Sequence, residues 1–188
     1  MSSSVVVEEV GPNAGAQLDE FFVYLRHHVA ENGASSTGYF QPLPRSSSII
    51  SAEREERFRN ALAVAIAQPG WRRLWLARSP EGSIAGHIDL RSHNEDYATH
   101  RCLLGMGVHT ASRRSGVGRI LLGVAAHWAH TVAQLEWIDL QVLSANEAAK
   151  RLYHRFGFAT VGEVPDMFKI DDQRFGYTHM ALRLSRDA

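Results

Sequence analysis

Helical and strand spacings of apolar residues take turns along this chain and lay out a mixed α/β domain. Val5 to Val10 is a short β-branched run closed by Gly11-Pro12 and reads as an edge strand. Leu18, Phe21, Phe22, Leu25 and Val29 recur at helical spacing over residues 14–31. A second helix is expected over roughly 53–67, ended by Pro69-Gly70. Three strands follow, Trp71 to Arg78, Ser83 to Ser92 and His100 to His109, the first two joined by the hairpin chemistry of Pro80-Glu-Gly82. Val117, Ile120, Leu121, Val124, Ala125 and Trp128 make the stripe of a helix running to about Thr131. Leu135 to Leu143 is a further strand. Ser144-Ala-Asn-Glu147 has capping-box spacing for the next helix, and Gly157 stands where a left-handed C-cap belongs. Phe158 to Val161 and Tyr177 to Leu184 close the chain as strands. The order is βα-α-βββ-α-β-α-ββ. No repeat, heptad seam or linker interrupts it, so residues 1–188 are expected to form one domain.

One segment stands apart from the periodic ones. Glu31 to Ser51 is rich in Ser, Gly and Pro, and its centre places Tyr39 and Phe40 in a long loop. Loops of that length inside a compact domain tend to be functional or mobile, and the two aromatics either wall a pocket or pin the loop.

Twenty basic residues balance twenty acidic ones, which removes any electrostatic reason to expect nucleic acid or an anionic membrane as partner. The start, Met1-Ser-Ser-Ser-Val-Val-Val-Glu-Glu, lacks the basic and long apolar regions of a signal peptide, and no apolar run approaches bilayer length. Cys102 is the one cysteine, so no internal disulfide is possible and a reducing, cytoplasmic setting is expected. His127 and His130 lie one turn apart without an evident third ligand, so no metal is expected.

Two segments carry chemistry. Arg113-Arg114-Ser115-Gly116-Val117-Gly118 lies between a strand ending at Val108 and a helix. Free N–H groups at a helix N-terminus favour an anion, glycines let a phosphate approach the backbone, and Arg113, Arg114 and Arg119 add charge suited to a diphosphate. A plain turn with a solvated basic flank is the competing reading. A Walker A loop is excluded by spelling, and a dinucleotide fingerprint would need glycine where Leu121 stands. The second segment, Asn146-x-x-Ala149-x-x-Leu152-Tyr153-x-x-x-Gly157-Phe158, sets an amide and a phenol two helical turns apart on one face. A phenol, neutral at pH 7, can protonate a departing thiolate. Asn146 as a helix cap and Tyr153 as a core aromatic is the plainer alternative.

Arg113-x-x-Gly116-x-Gly118 after Met106-Gly107-Val108, followed by the Asn146 and Tyr153 segment, resembles the acetyl-CoA motif of the Gcn5-related N-acetyltransferase (GNAT) superfamily. The likeness is firm over about Ser83 to Val161 and only a matter of pattern before it. It implies a GNAT fold of the α/β (α+β) class: a central mixed, mostly antiparallel sheet of about seven strands flanked by about four helices. It further implies an acetyl-CoA-dependent N-acetyltransferase acting on an amine of a small molecule or peptide, with a homodimer as one assembly such enzymes adopt. Met106, Gly107 and Val108 would contact the pantetheine. The loop from Arg113 through Arg114, Ser115, Gly116, Val117 and Gly118 to Arg119 would hold the pyrophosphate. Asn146 would hold the cofactor arm, and Tyr153 would be the general acid.

Relatives that acetylate protein N-termini often carry a Glu five residues before the Asn, and here that position is Gln141, which cannot accept a proton. Substitute bases are Asp89 and His87, which alternate onto one strand face, Glu95, His93, or a water chain. Asp166, Asp171 and Asp172 near the last hairpin favour a cationic acceptor. A non-enzymatic acyl-CoA binding or sensor module is the rival class.

Overall fold

The structure, a computed structural model, describes residues 5–184. The polar Met1 to Ser4 start, on which part of the expectation of no signal peptide rests, lies outside the described residues. Strand β1 (Val6–Val10) leads into helix α1 (Gly15–Ala30), and a long loop with one 3-10 turn (Arg45–Ser47) leads to α2 (Ala52–Ala63). Next come β2 (Arg72–Arg78), β3 (Ile84–Ser92) and β4 (Arg101–Val108), then a second 3-10 turn (Thr110–Ser112) and α3 (Val117–Thr131). The chain finishes with β5 (Trp137–Leu143), α4 (Glu147–Phe156), β6 (Ala159–Ile170) and β7 (Gln173–Arg183).

All seven strands join one sheet in the order β1-β2-β3-β4-β5-β7-β6, antiparallel except where β4 lies beside β5. That parallel pair holds at Arg101↔Trp137, Cys102↔Ile138 and Leu103↔Asp139, and beyond it the two strands part. This mixed sheet with four helices is the architecture the family resemblance implies.

Both faces of the sheet are covered, which is why β2 reads as a continuous apolar run. Leu74 and Leu76 point to one side, into a cluster with Phe21 and Phe22 of α1 and Phe58 of α2. Trp75 and Ala77 point to the other, into a cluster with Leu121, Ala125 and Trp128 of α3. Fully burying a side chain such as Leu121 or Phe22 contributes about 1.5–3 kcal/mol. Ile120, placed by spacing in the α3 stripe, stays 43% exposed.

Three local expectations need correction. Helix α2 stops at Ala63, because Arg73 Nη1 of β2 donates to the carbonyls of Leu62 and Val64 at 3.2 and 3.1 Å and satisfies the helix end there. The capping box at Ser144 does not form: Ser144 Oγ sits 2.8 Å from Thr178 Oγ1, and Asn146 caps the helix instead. The last two strands are far longer than Phe158 to Val161 and Tyr177 to Leu184. They run into a two-residue turn, Asp171-Asp172, with φ of 46° and 64°, the signs of a type I′ hairpin. Strand β6 is exposed on both faces, so no apolar alternation marks it, and its Pro165 and Gly162 are tolerated at a bulged sheet edge.

Candidate active site

The parting of β4 from β5 leaves a backbone edge free. His109 N–H donates to the Ala85 carbonyl, so strand alternation turns the N–H and C=O of Val108 and Met106 away from β3 and toward the gap. Past the tip of β4 the chain makes its 3-10 turn, passes Arg114 at φ 63°, and enters α3 through Gly116 at φ 92°. Left-handed backbone at two positions swings successive N–H groups outward, the geometry of an anion-binding nest. Among the described residues, the N–H groups of Arg114, Ser115, Gly116, Val117 and Gly118 have no hydrogen-bond partner.

The side chains of this loop divide. Arg114, Ser115 and Arg119 are exposed, and nothing lies within 4 Å of where a Cβ on Gly116 would stand. Val117 is buried in the core, so only its backbone faces the loop. Ser115 Oγ donates to the Ser112 carbonyl at 2.7 Å. Arg113 folds back: its Nε lies 3.5 Å from the Val108 carbonyl oxygen and its Nη2 4.0 Å from Glu31 Oε2. Gly118 is where the β4 tip, α3 and α4 meet. A Cβ there would stand 2.8 Å from Leu152 Cδ2 and 3.7 Å from both Met106 Cε and Val108 Cγ2.

Helix α4 is closed at both ends by its own residues. Asn146 Oδ1 accepts from Ala149 N–H at 3.2 Å, and at the other end Phe158 N–H donates to the Tyr153 carbonyl across left-handed Gly157. The cap reading of Asn146 therefore holds for its oxygen, while its Nδ2 has no partner among the described residues. Tyr153 is 7% exposed and packs on Phe158 at 5.6 Å between ring centres. Burial alone pushes its phenol up to about 12, and no protein group bonds its hydroxyl among the described residues.

On the opposite face of the sheet, α1, α2 and the 31–51 loop enclose a cleft of about 590 Å³ that reaches β4 at Gly105 and Met106. His87 and Asp89 both face it and both are buried, as their alternation on β3 requires. His28 of α1 joins them. Tyr24 Oη lies 3.3 Å from His87 Nδ1 and 3.5 Å from the Gly107 carbonyl oxygen. Burial lowers the pKa of His28 to about 4; burial, then the nearby His28, lowers that of His87 to about 3, so both imidazoles are neutral at pH 7. Phe40 walls the cleft against His28, ring centres 5.0 Å apart. Tyr39 pins the loop instead, bonding Asp171 and packing on Phe175. The remaining candidate bases lie elsewhere. His93 Nε2 is 2.9 Å from Asp139 and its Nδ1 3.2 Å from Glu95, and exposed Gln141 faces His179 at 3.4 Å.

A family model described as Acetyltransferase (GNAT) family matches residues 39–158, well over half of the chain. The chain belongs to this family. GNAT acetyltransferases take acetyl-CoA as acyl donor. A comparison with curated proteins finds no match. Among solved structures, the chain is similar to a GNAT-family acetyltransferase from Streptococcus pneumoniae, with TM-score 0.77 and 21% identity over 97% of this chain and 100% of that one. It is also similar to yncA of Salmonella typhimurium, solved with its cofactor acetyl-CoA, with TM-score 0.74 and 16% identity over 99% and 97% of the two chains. A third is a spermidine N-acetyltransferase from Vibrio cholerae in complex with CoA and spermine, with TM-score 0.73 and 15% identity over 97% and 96%. At these identities the likeness is one of fold.

The GNAT motifs point to the β4 edge and the start of α3, and sequence spacing missed much of the cleft on the other face. Tyr24 and His28 continue the helical rhythm of Phe21 and Leu25, a signal that was available. Arg72 and Arg91 carried none, because arginine at a strand end reads as solvated. The acids behind the expected cationic acceptor do not line the cleft: Asp171 bonds Tyr39, Asp172 pairs with Lys169, and Asp166 with Arg174.

Proposed function

We propose that this single-domain enzyme moves the acetyl group of acetyl-CoA directly to the primary amine of a small molecule or peptide. The observation that carries the proposal is the run of five unpartnered N–H groups from Arg114 to Gly118 beside the free edge of β4. A diphosphate needs such donors, with Arg113, Arg114 and Arg119 for charge. Met106 and Val108 offer the amide-rich arm a strand edge, Gly107 between them facing β3, and Asn146 Nδ2 offers one more donor.

The acceptor nitrogen enters from the cleft and attacks the thioester carbonyl, forming the N–C bond as the C–S bond breaks. Val108 N–H meets the developing oxyanion. Tyr153 gives its proton to the departing sulfur. Its raised pKa keeps the phenol protonated at pH 7, and the same burial raises the basicity of a thiolate beside it. With both imidazoles weakly basic and Asp89 committed to two arginines, the ammonium loses its proton to solvent in the cleft. Holding amine and thioester together in the gap supplies much of the acceleration.

Tyr153→Phe is the test. We expect kcat to fall about 10²-fold or more with acetyl-CoA affinity nearly unchanged, as for a lost general acid. Wild-type turnover in the variant refutes the role of Tyr153. Absence of thiol release with any amine, while acetyl-CoA still binds, would leave an acyl-CoA binding module instead.

A further inference from the structure

The cleft is lined by four arginines, Arg54, Arg57, Arg72 and Arg91, against one carboxylate, Asp89. Asp89 Oδ2 lies 3.3 Å from Arg72 Nε and 3.3 Å from Arg91 Nη1, so a single anion is shared between two guanidiniums. Arg72 is the more telling of the pair. Its side chain is 22% exposed and its guanidinium lies 4.1 Å over the Phe58 ring. Yet it makes no hydrogen bond among the described residues, and the contact with Asp89 is too misaligned to be one. A half-buried guanidinium with open donors is costly unless something else accepts from it.

The two ends of the cleft differ along β4. At Gly107 the nearest groups are the neutral rings of His28 and His87. At Gly105, two residues back and thus roughly 7 Å along the strand, they are Asp89 and Arg91. The neutral end borders the gap where acyl transfer is proposed, and the cationic end lies away from it.

We infer that the acceptor is a small amine carrying its own carboxylate or comparable oxyanion, an amino acid being the simplest, with the anion held by Arg72 and Arg91 and the amine directed toward the β4 tip. This rests on the proposed acetyl transfer for its orientation. A guanidinium with free donors forks onto a carboxylate, and Asp89, already shared, leaves a net positive charge for that anion to neutralise. A polyamine would bring ammonium groups against the same arginines.

The test uses matched pairs, amino acids and the amines left when the carboxylate is removed, with spermidine as a polyamine. Calorimetric titration of each into the CoA complex reads the subsite without turnover. Thiol release from acetyl-CoA then reads the reaction. We expect each amino acid to bind at least ~10-fold more tightly than its decarboxylated partner, the ratio that one charge-assisted contact supplies. Arg91→Gln should raise the acceptor KM by a similar factor while the acetyl-CoA KM stays put. If Arg72→Gln fails to fold, Arg91→Gln, whose side chain is more exposed, still decides the matter. Equal or weaker binding of the carboxylates, or preference for spermidine, overturns the inference. Carboxylate-selective binding with no thiol release from any amine supports this subsite and defeats the acetyl-transfer proposal instead.

Discussion

Acid should loosen this protein through two histidines. His28 and His87 are 8% and 7% exposed, and burial holds their pKa values at about 4 and 3, well below the ordinary 6.5. The unfolded chain therefore takes up protons near pH 6.5 that the folded chain refuses. Stability from this source is present above pH 6.5 and drains away as the pH falls from there toward 4 and 3. At pH 5 the unfolded state gains about 2 kcal/mol per histidine relative to pH 7, about 4 kcal/mol for the pair. That is a large share of the roughly 5–15 kcal/mol that holds an ordinary domain together. Urea unfolding at half-unit steps from pH 7 to 5 measures it, with His28→Gln as the reference that cancels contributions from carboxylates common to both. The wild type should lose about 2 kcal/mol more than H28Q over that interval. Equal losses in the two proteins refute the buried neutral imidazole at position 28.

Other variants separate roles that the site overlays. Asn146→Ala should cost about 1 kcal/mol through the lost helix cap, whereas Asn146→Asp keeps an acceptor for Ala149 N–H and should hold its Tm. If Nδ2 holds the acyl donor, both substitutions weaken acetyl-CoA binding in calorimetry, and unchanged affinity in N146D removes Asn146 from the donor site. Gly107→Ala would set a methyl group 2.6 Å from both His28 Nε2 and His87 Cε1. Buried rings have little room to retreat, so a loss of about 1–3 kcal/mol is expected in chemical denaturation; an unaltered midpoint would show that the rings move freely.

The half of the molecule that carries the GNAT motifs is spelled out locally. Loop and helix from Arg113 to Thr131 announce themselves because glycine, arginine and a helical apolar stripe adjoin in the chain, and α3 begins at Val117 behind Gly116 as expected. Gly157 likewise signals its own turn. The cleft on the other face depends on pairings far apart in sequence. Arg72, Asp89 and Arg91 become a cluster only once β2 and β3 align Leu74 with Asp89 and Arg72 with Arg91. Strand β6 eludes pattern reading for a different reason: with neither face covered, nothing selects apolar residues at alternate positions. Its length is set by pairing with β7 and by the Asp171-Asp172 turn, which also anchors Tyr39 and with it the loop that brings Phe40 to the cleft.

The seven-stranded sheet stands as a dividing wall, with the arginine-lined chamber on one side and the α3 start on the other, and β4 leaves β5 between them. If acetyl transfer runs as proposed, residues behind the wall can be exchanged to recruit a new nitrogen nucleophile while the grip on the thioester stays as it is. On that proposal, a library confined to positions 72 and 91 would change the acceptor while leaving coenzyme A binding untouched.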